Sequence, residues 1–263
     1  MNGDGELLKA FVMTRGRTGS TAIVQELGAV DGARSEQEIF SAEPGPHGFP
    51  ALKVWLEGQR EHEDADDLAK LTERYLREME SDALARGCAA LFWKALSHHV
   101  TERPYLAELL LRQGYKALYL TRGQVRQVLS GMVATQRNRF NTREKFQDDR
   151  SYRIDVAELR RQVALERQCV RMDLGLLYRQ GFEVLEIRYE DYLADRAAFF
   201  GRIFDVLGLP YALPVASDFV VMIEDLRATI ENYDEVRVAA VELGEPLEPG
   251  DAPPHMESNV VIV

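Results

Sequence analysis

The chain has 263 residues, 46% of them hydrophobic, and a formal net charge of −11. Length and apolar content suit one large α/β domain, or one domain with a substantial cap, and argue against disorder. The acidic balance disfavours a general binder of nucleic acid or of anionic membranes, but it leaves room for a small anionic ligand held by a local basic cluster.

No apolar run approaches the ~18 residues of a membrane span. The N-terminus carries Asp4 and Glu6 ahead of a short apolar stretch, unlike the basic start and longer apolar core of a secretory signal. Cys88 and Cys169 are the only cysteines. They are too few for a disulfide framework or a zinc site and are read as buried thiols. These features together lead us to expect a cytoplasmic, single-domain chain spanning 1–263.

In chain order, Ala10 to Met13 is an apolar strand signal, followed by Thr14-Arg15-Gly16-Arg17-Thr18-Gly19-Ser20-Thr21 and a helical stretch to Leu27. Further strands are expected at Ala51 to Leu56, Ala89 to Ala95, Tyr115 to Leu120 and Phe182 to Ile187. The acidic segment Glu57 to Asp82 reads as a solvated helical face. Val125, Val128, Leu129, Met132 and Val133 mark an amphipathic helix, and Val156 to Leu177 a longer one. Asp195 is placed to cap a helix ending at Gly208, and Phe219 to Leu243 has helical character. Strands alternating with helices predict a parallel sheet covered on both faces, with ligands at the carboxyl ends of its strands. Segments 31–90 and 137–155 are the natural places for an acceptor-side cap.

Two clusters lie at such strand ends. In the first, Gly16 and Gly19 allow close backbone approach to an anion. Thr18, Ser20 and Thr21 supply hydroxyls, and Arg15 and Arg17 supply charge and bidentate donors. A helix N-terminus behind them adds free N–H groups. The alternative is a turn whose hydroxyls merely cap the helix. The pattern G-x-x-x-x-G-K-[ST] is missing, which disfavours an ordinary P-loop NTPase. In the second cluster Arg122 follows a strand and Ser130 comes eight residues later, a pair able to grip another phosphate. Taken alone, an Arg in a loop and a Ser on a helix flank are ordinary.

Together and in this order, the clusters resemble those of the PAPS-dependent sulfotransferase family (PAPS is 3′-phosphoadenosine 5′-phosphosulfate). Arg17-Thr18-Gly19-Ser20-Thr21 is similar to that family's 5′-phosphosulfate loop in its bacterial form, and Arg122 with Ser130 to its 3′-phosphate site. Ala134-Thr135-Gln136-Arg137-Asn138-Arg139-Phe140 resembles the Ala-x-Gln-Thr-Gly-x-Trp segment of trehalose-type enzymes, with Arg and Asn replacing Thr and Gly and Phe replacing Trp. Arg188-Tyr189-Glu190-Asp191 and Asn232-Tyr233-Asp234-Glu235 resemble further family segments, and the likeness extends to nodulation-type members.

The resemblance implies a three-layer α/β/α, P-loop-like fold with a central parallel sheet and a helical C-terminal region. It implies PAPS as donor, adenosine 3′,5′-bisphosphate (PAP) as product, no metal, and a small-molecule, carbohydrate or lipid acceptor. It leaves room for a homodimer. Arg17 aligns with the family's catalytic basic residue. Gln37-Glu38-Ile39-Phe40 resembles a Gln-Glu-Phe-Phe segment that supplies a catalytic Glu, making Glu38 the first candidate base, with Glu36, His98 and His99 as alternatives. Lys94 is similar to a Lys placed near the acceptor, and Gln136 and Phe140 fall in the acceptor-side segment. The competing readings are a kinase with an unusual phosphate loop, which would need magnesium and ATP, and a non-catalytic nucleotide-binding protein on the same fold.

Overall fold

The computed structural model describes residues 7–41, 49–59, 68–138, 150–219, 223 and 225–248. In chain order the elements begin β1 (Leu8–Thr14), α1 (Ser20–Gly28), β2 (Ala33–Glu38), α2 (Leu52–Gln59), α3 (Leu68–Ala85) and β3 (Ala90–Leu96). They continue with α4 (Ser97–Thr101), α5 (Pro104–Arg112), β4 (Lys116–Thr121), α6 (Gln124–Arg137) and α7 (Val156–Gln180). The last are β5 (Val184–Arg188), α8 (Tyr189–Ala194), α9 (Arg196–Leu207), α10 (Leu226–Thr229) and α11 (Tyr233–Glu242). The chain divides into two compact units, residues 1–121 with 171–218 and residues 122–170 with 219–263.

The first unit holds a five-stranded sheet in the order β2-β3-β1-β4-β5, parallel throughout. Parallel neighbours require crossovers, and the flanking helices supply them. Alternation along the strands assigns the two faces. Ala10, Val12, Phe92, Leu118 and Leu120 pack with Ile23, Val24 and Leu27 of α1 and with Phe199, Phe200, Ile203 and Phe204 of α9. On the opposite face Phe11 stacks on Trp93 at 5.3 Å and meets Phe182 edge-on at 5.6 Å. Trp93 is therefore a core residue. β1 is the central strand, with crossovers leaving on either side, so the loop after it lies at the topological switch point where such sheets bind ligands.

The second unit has its own core. Val125, Leu129 and Val133 of α6 pack with Leu159 and Val163 of α7 and with Tyr233 and Val236 of α11. Tyr152 and Ile230 form a parallel bridge. Asn232 accepts from the Ile154 N–H and donates to the Ile154 carbonyl, both at 2.9 Å.

The apolar runs at 10–13, 89–95, 115–120 and 182–187 form β1, β3, β4 and β5. The segment 51–56 was expected as a strand but is helix α2. Its buried residues, Ala51, Leu52 and Trp55, fall at helical spacing, while Lys53 and Val54 face solvent. Trp55 anchors it by donating to Glu78 at 2.7 Å. The strand that sequence reading missed is β2, Ala-Arg-Ser-Glu-Gln-Glu, which lies within the segment expected as cap. It is polar because it is an edge strand, and a buried ion pair replaces apolar packing on one of its faces. Of the tail expected to have helical character, 226–229 and 233–242 form α10 and α11. Cys88 and Cys169 are half-buried free thiols rather than fully buried ones. Among the described residues no helix is long and apolar enough to cross a membrane.

Candidate active site

The loop between β1 and α1 is closed by its threonines. Thr14 Oγ1 and Thr18 Oγ1 lie 2.6 Å apart, Thr14 also donates to the Leu120 carbonyl at 2.9 Å, and Thr18 donates to the Arg15 carbonyl at 3.2 Å. The buried Thr18 hydroxyl thus shapes the loop and does not cap the helix. Gly19 is the N-cap of α1, with φ 79° and no side-chain cap. The first-turn N–H groups of α1 consequently have no capping side chain at the N-cap, as an anion site at a helix N-terminus requires. A Cβ on Gly19 would stand 2.2 Å from Tyr189 Cε2, so the first residue of α8 enforces glycine here. Arg17 also adopts the left-handed region, at φ 69°, a conformation that costs a non-glycine residue about 1–2 kcal/mol and is found where surrounding structure or function demands it.

Three sequence candidates meet beside this loop. Lys94 shares the α1-facing side of β3 with Phe92, and it is only 4% exposed. Its ammonium donates to Thr21 Oγ1 at 2.9 Å and pairs with Glu38 Oε1 at 2.8 Å. The register of β2 against β3 shifts between Glu36 and Glu38, so Glu38 rather than Gln37 stands opposite Lys94. Such irregularities re-aim side chains next to functional sites. Gln37 Nε2 donates to the Thr21 carbonyl at 3.3 Å.

Glu36 has a different environment. It is fully buried and accepts from Arg34 Nε at 2.8 Å, and Arg34 also bonds Asp82 of α3. Burial opposes the Arg34 charge, but hydrogen bonds to Asp82 and Glu36 outweigh it and raise its pKa. The hydrogen bond from Arg34 in turn lowers that of Asp82.

His99 is buried in α4, and its Nδ1 accepts the Leu96 N–H at 3.2 Å. Burial, and then the adjacent His98, push its pKa down to about 4. At neutral pH the ring is uncharged, its one lone pair is engaged, and the hydrogen resides on Nε2. His98 is exposed, with its ring 4.3 Å from that of His99.

Arg15 donates through Nη1 to Ser97 Oγ at 3.2 Å and lies 3.8 Å from Asp173 Oδ2. Sequence reading missed both partners. Asp173 lies in a helix dense with charged residues and carries no motif; only its 2% exposure in the fold sets it apart.

The second unit carries the other candidates. Arg122 directly follows the last residue of β4, and its carbonyl accepts from Gln124 Nε2 at 3.1 Å. Ser130 lies buried on α6, one turn beyond Arg126, which donates to the Leu247 carbonyl. Gln136 is exposed near the end of α6 and donates to the Arg153 carbonyl at 3.3 Å. Phe140 lies outside the described residues.

Residues 10–212 match the model of the sulfotransferase family. No curated protein sequence matches the chain. Among solved structures, the chain is similar to a sulfotransferase domain from the curacin biosynthetic pathway. Identity is 12%, coverage 92% of this chain and 100% of that one, and the TM-score 0.49. A sulfotransferase from Alicyclobacillus acidocaldarius gives 14% identity, 91% and 97% coverage and a TM-score of 0.48. A mouse sulfotransferase complexed with PAP gives 11% identity, 81% and 62% coverage and a TM-score of 0.41.

Proposed function

The chain belongs to the sulfotransferase family, and we propose that it moves a sulfuryl group from PAPS to a hydroxyl-bearing small-molecule, carbohydrate or lipid acceptor, releasing PAP. The observation that carries this reading is the cluster in which Thr21 of the anion loop, Lys94 and Glu38 are joined by contacts of 2.9 and 2.8 Å. It sets a carboxylate beside a loop suited to a phosphosulfate.

In the proposed reaction the acceptor oxygen attacks sulfur, and the bond from sulfur to the bridging oxygen of the 5′-phosphate breaks. Its electron pair leaves with PAP, and the acceptor proton goes to Glu38. Arg17 stabilises the charge that grows on the bridging oxygen, where preorganised donors contribute most. Gly19, Ser20 and Thr21 hold the 5′-phosphate, with Gly16 and Thr18 shaping the loop and Arg15 assisting. Arg122 and Ser130 take the 3′-phosphate, as the sequence resemblance implies. Lys94 orients the Glu38 carboxylate and ties it to Thr21. Gln136 and Phe140 belong to the acceptor side. The scheme uses no metal ion, and its donor is one expected in the cytoplasm.

Glu38 is favoured as the base over Glu36 and His99. The Glu36 carboxylate is committed to Arg34, and His99 has its lone pair engaged by Leu96 and its pKa pushed down to about 4. Calorimetry with PAP and adenosine 5′-monophosphate tests the donor assignment. PAP is expected to bind far more tightly, and equal affinity removes the case for a 3′-phosphate site.

A further inference from the structure

We infer that Asp173 is a positioning residue of the donor site, acting on the nucleotide through Arg15; the inference rests on the PAPS reading above. Asp173 is on α7, within the stretch that belongs to the sheet-containing unit. One carboxylate there gathers side chains from the carboxyl ends of three neighbouring strands. Its Oδ1 accepts from Ser97 Oγ at 2.6 Å, just past β3. Its Oδ2 accepts from Tyr119 on β4 at 2.9 Å. The same oxygen faces Arg15, just past β1, at 3.8 Å. Ser97 completes the relay by accepting from Arg15 Nη1 at 3.2 Å while donating to Asp173.

The chemistry of this arrangement is specific. A buried carboxylate is costly unless it is hydrogen-bonded and paired. Ser97 and Tyr119 satisfy it without neutralising it, and the charge that balances it is the guanidinium of the anion loop. Arg15 has its side chain 26% exposed, against 2% for Asp173. The buried partner is thus the fixed end of the pair and the Arg the end that can reach a ligand. An Arg held in one orientation before the anion arrives loses less side-chain freedom on binding. Ser97 is equally placed to transmit this constraint, because its hydroxyl donates to the acid and so presents a lone pair to the Arg.

The test is a double-mutant cycle on PAP affinity, with melting temperature recorded for each variant. Asp173→Asn keeps the side-chain shape and removes its charge. It is expected to weaken PAP binding about tenfold, the lower end for a hydrogen bond to a charged group. In an Arg15→Ala background the same substitution is expected to cost less than twofold, because the group it acts through is gone. A loss of the same size in both backgrounds would make Asp173 a structural residue and overturn the inference. If Arg15→Ala binds PAP as the wild type does, the inference falls while the donor reading stands. If the wild type itself does not bind PAP, both fall. Ser97→Ala breaks the relay while leaving the carboxylate in place and serves if Asp173→Asn fails to fold. It is expected to weaken PAP binding about threefold with the same dependence on Arg15, and an equal loss in both backgrounds overturns the inference here too.

Discussion

Glu38 Oε1 stands 2.8 Å from Lys94 Nζ because the register of β2 shifts by one residue between Glu36 and Glu38. Unshifted pairing would set Gln37 opposite Lys94. The shift separates two neighbouring acids by function: Glu36 stays on the Arg34 side of the sheet, and Glu38 joins Lys94 and Thr21 on the α1 side. Glu38→Gln keeps the size and hydrogen bonding of the side chain. We expect transfer, followed as PAP released with any acceptor the wild type turns over, to fall about a hundredfold, while PAP affinity stays within a few-fold. Normal turnover would remove Glu38 as the base.

Arg122→Ala is expected to reduce the preference for PAP over adenosine 5′-monophosphate by about 1.5–3 kcal/mol, the range for a hydrogen bond to a charged group. Affinity for the monophosphate itself should hardly change. Calorimetry on the two nucleotides decides this, and full retention of the preference would release Arg122 from the 3′-phosphate role.

Arg17 combines a proposed catalytic charge with a left-handed backbone at φ 69°. Arg17→Gly removes the charge and relieves the backbone at once. Transfer should collapse by more than PAP binding does, since the partner of the guanidinium gains charge in the transition state, and the melting temperature should not fall. A variant with normal kcat and weakened PAPS binding would make Arg17 a ground-state ligand only.

Gly19→Ala meets two obstacles, φ 79° and a Cβ 2.2 Å from the Tyr189 ring. We expect a loss of about 1–3 kcal/mol in denaturant unfolding, the range for overpacking, together with weakened PAP binding as the loop shifts. Unchanged values for both would mean that the ring yields easily and that the loop does not depend on this contact.

His99 gives a pH dependence of defined sign. Its pKa lies at about 4 in the fold, against an ordinary 6.5. Above the ordinary value the ring is neutral whether folded or unfolded and contributes nothing. As pH falls from there towards 4 the unfolded chain gains a proton that the folded chain refuses, so stability declines, by about 3 kcal/mol once the window is crossed. His99→Asn should lose this part of the acid sensitivity in urea unfolding at pH 7.5 and about pH 5. An identical pH dependence in variant and wild type would contradict the buried neutral ring.

The sequence by itself determined the parallel α/β layout and the glycine-containing loop between β1 and α1, for a local reason. The apolar runs of β1, β3 and β4 are buried on both faces, the edge strand β5 buries Ile187, and the turn chemistry of Arg17-Thr18-Gly19-Ser20-Thr21 is contained in consecutive residues. It also supplied Glu38 and Lys94 as separate candidates. What only the tertiary structure decided depends on residues distant in the chain. β2 is legible as a strand only through its pairing with β3 and the Arg34–Glu36 and Arg34–Asp82 contacts that bury its polar side chains. The choice of Glu38 over Glu36 to face Lys94 follows from a register shift that no local pattern announces. Asp173 becomes visible as a buried charge only once Ser97, Tyr119 and Arg15 converge on it. Burial and pairing energies belong to contacts between elements, and a single sequence read in order specifies the elements before it specifies those contacts.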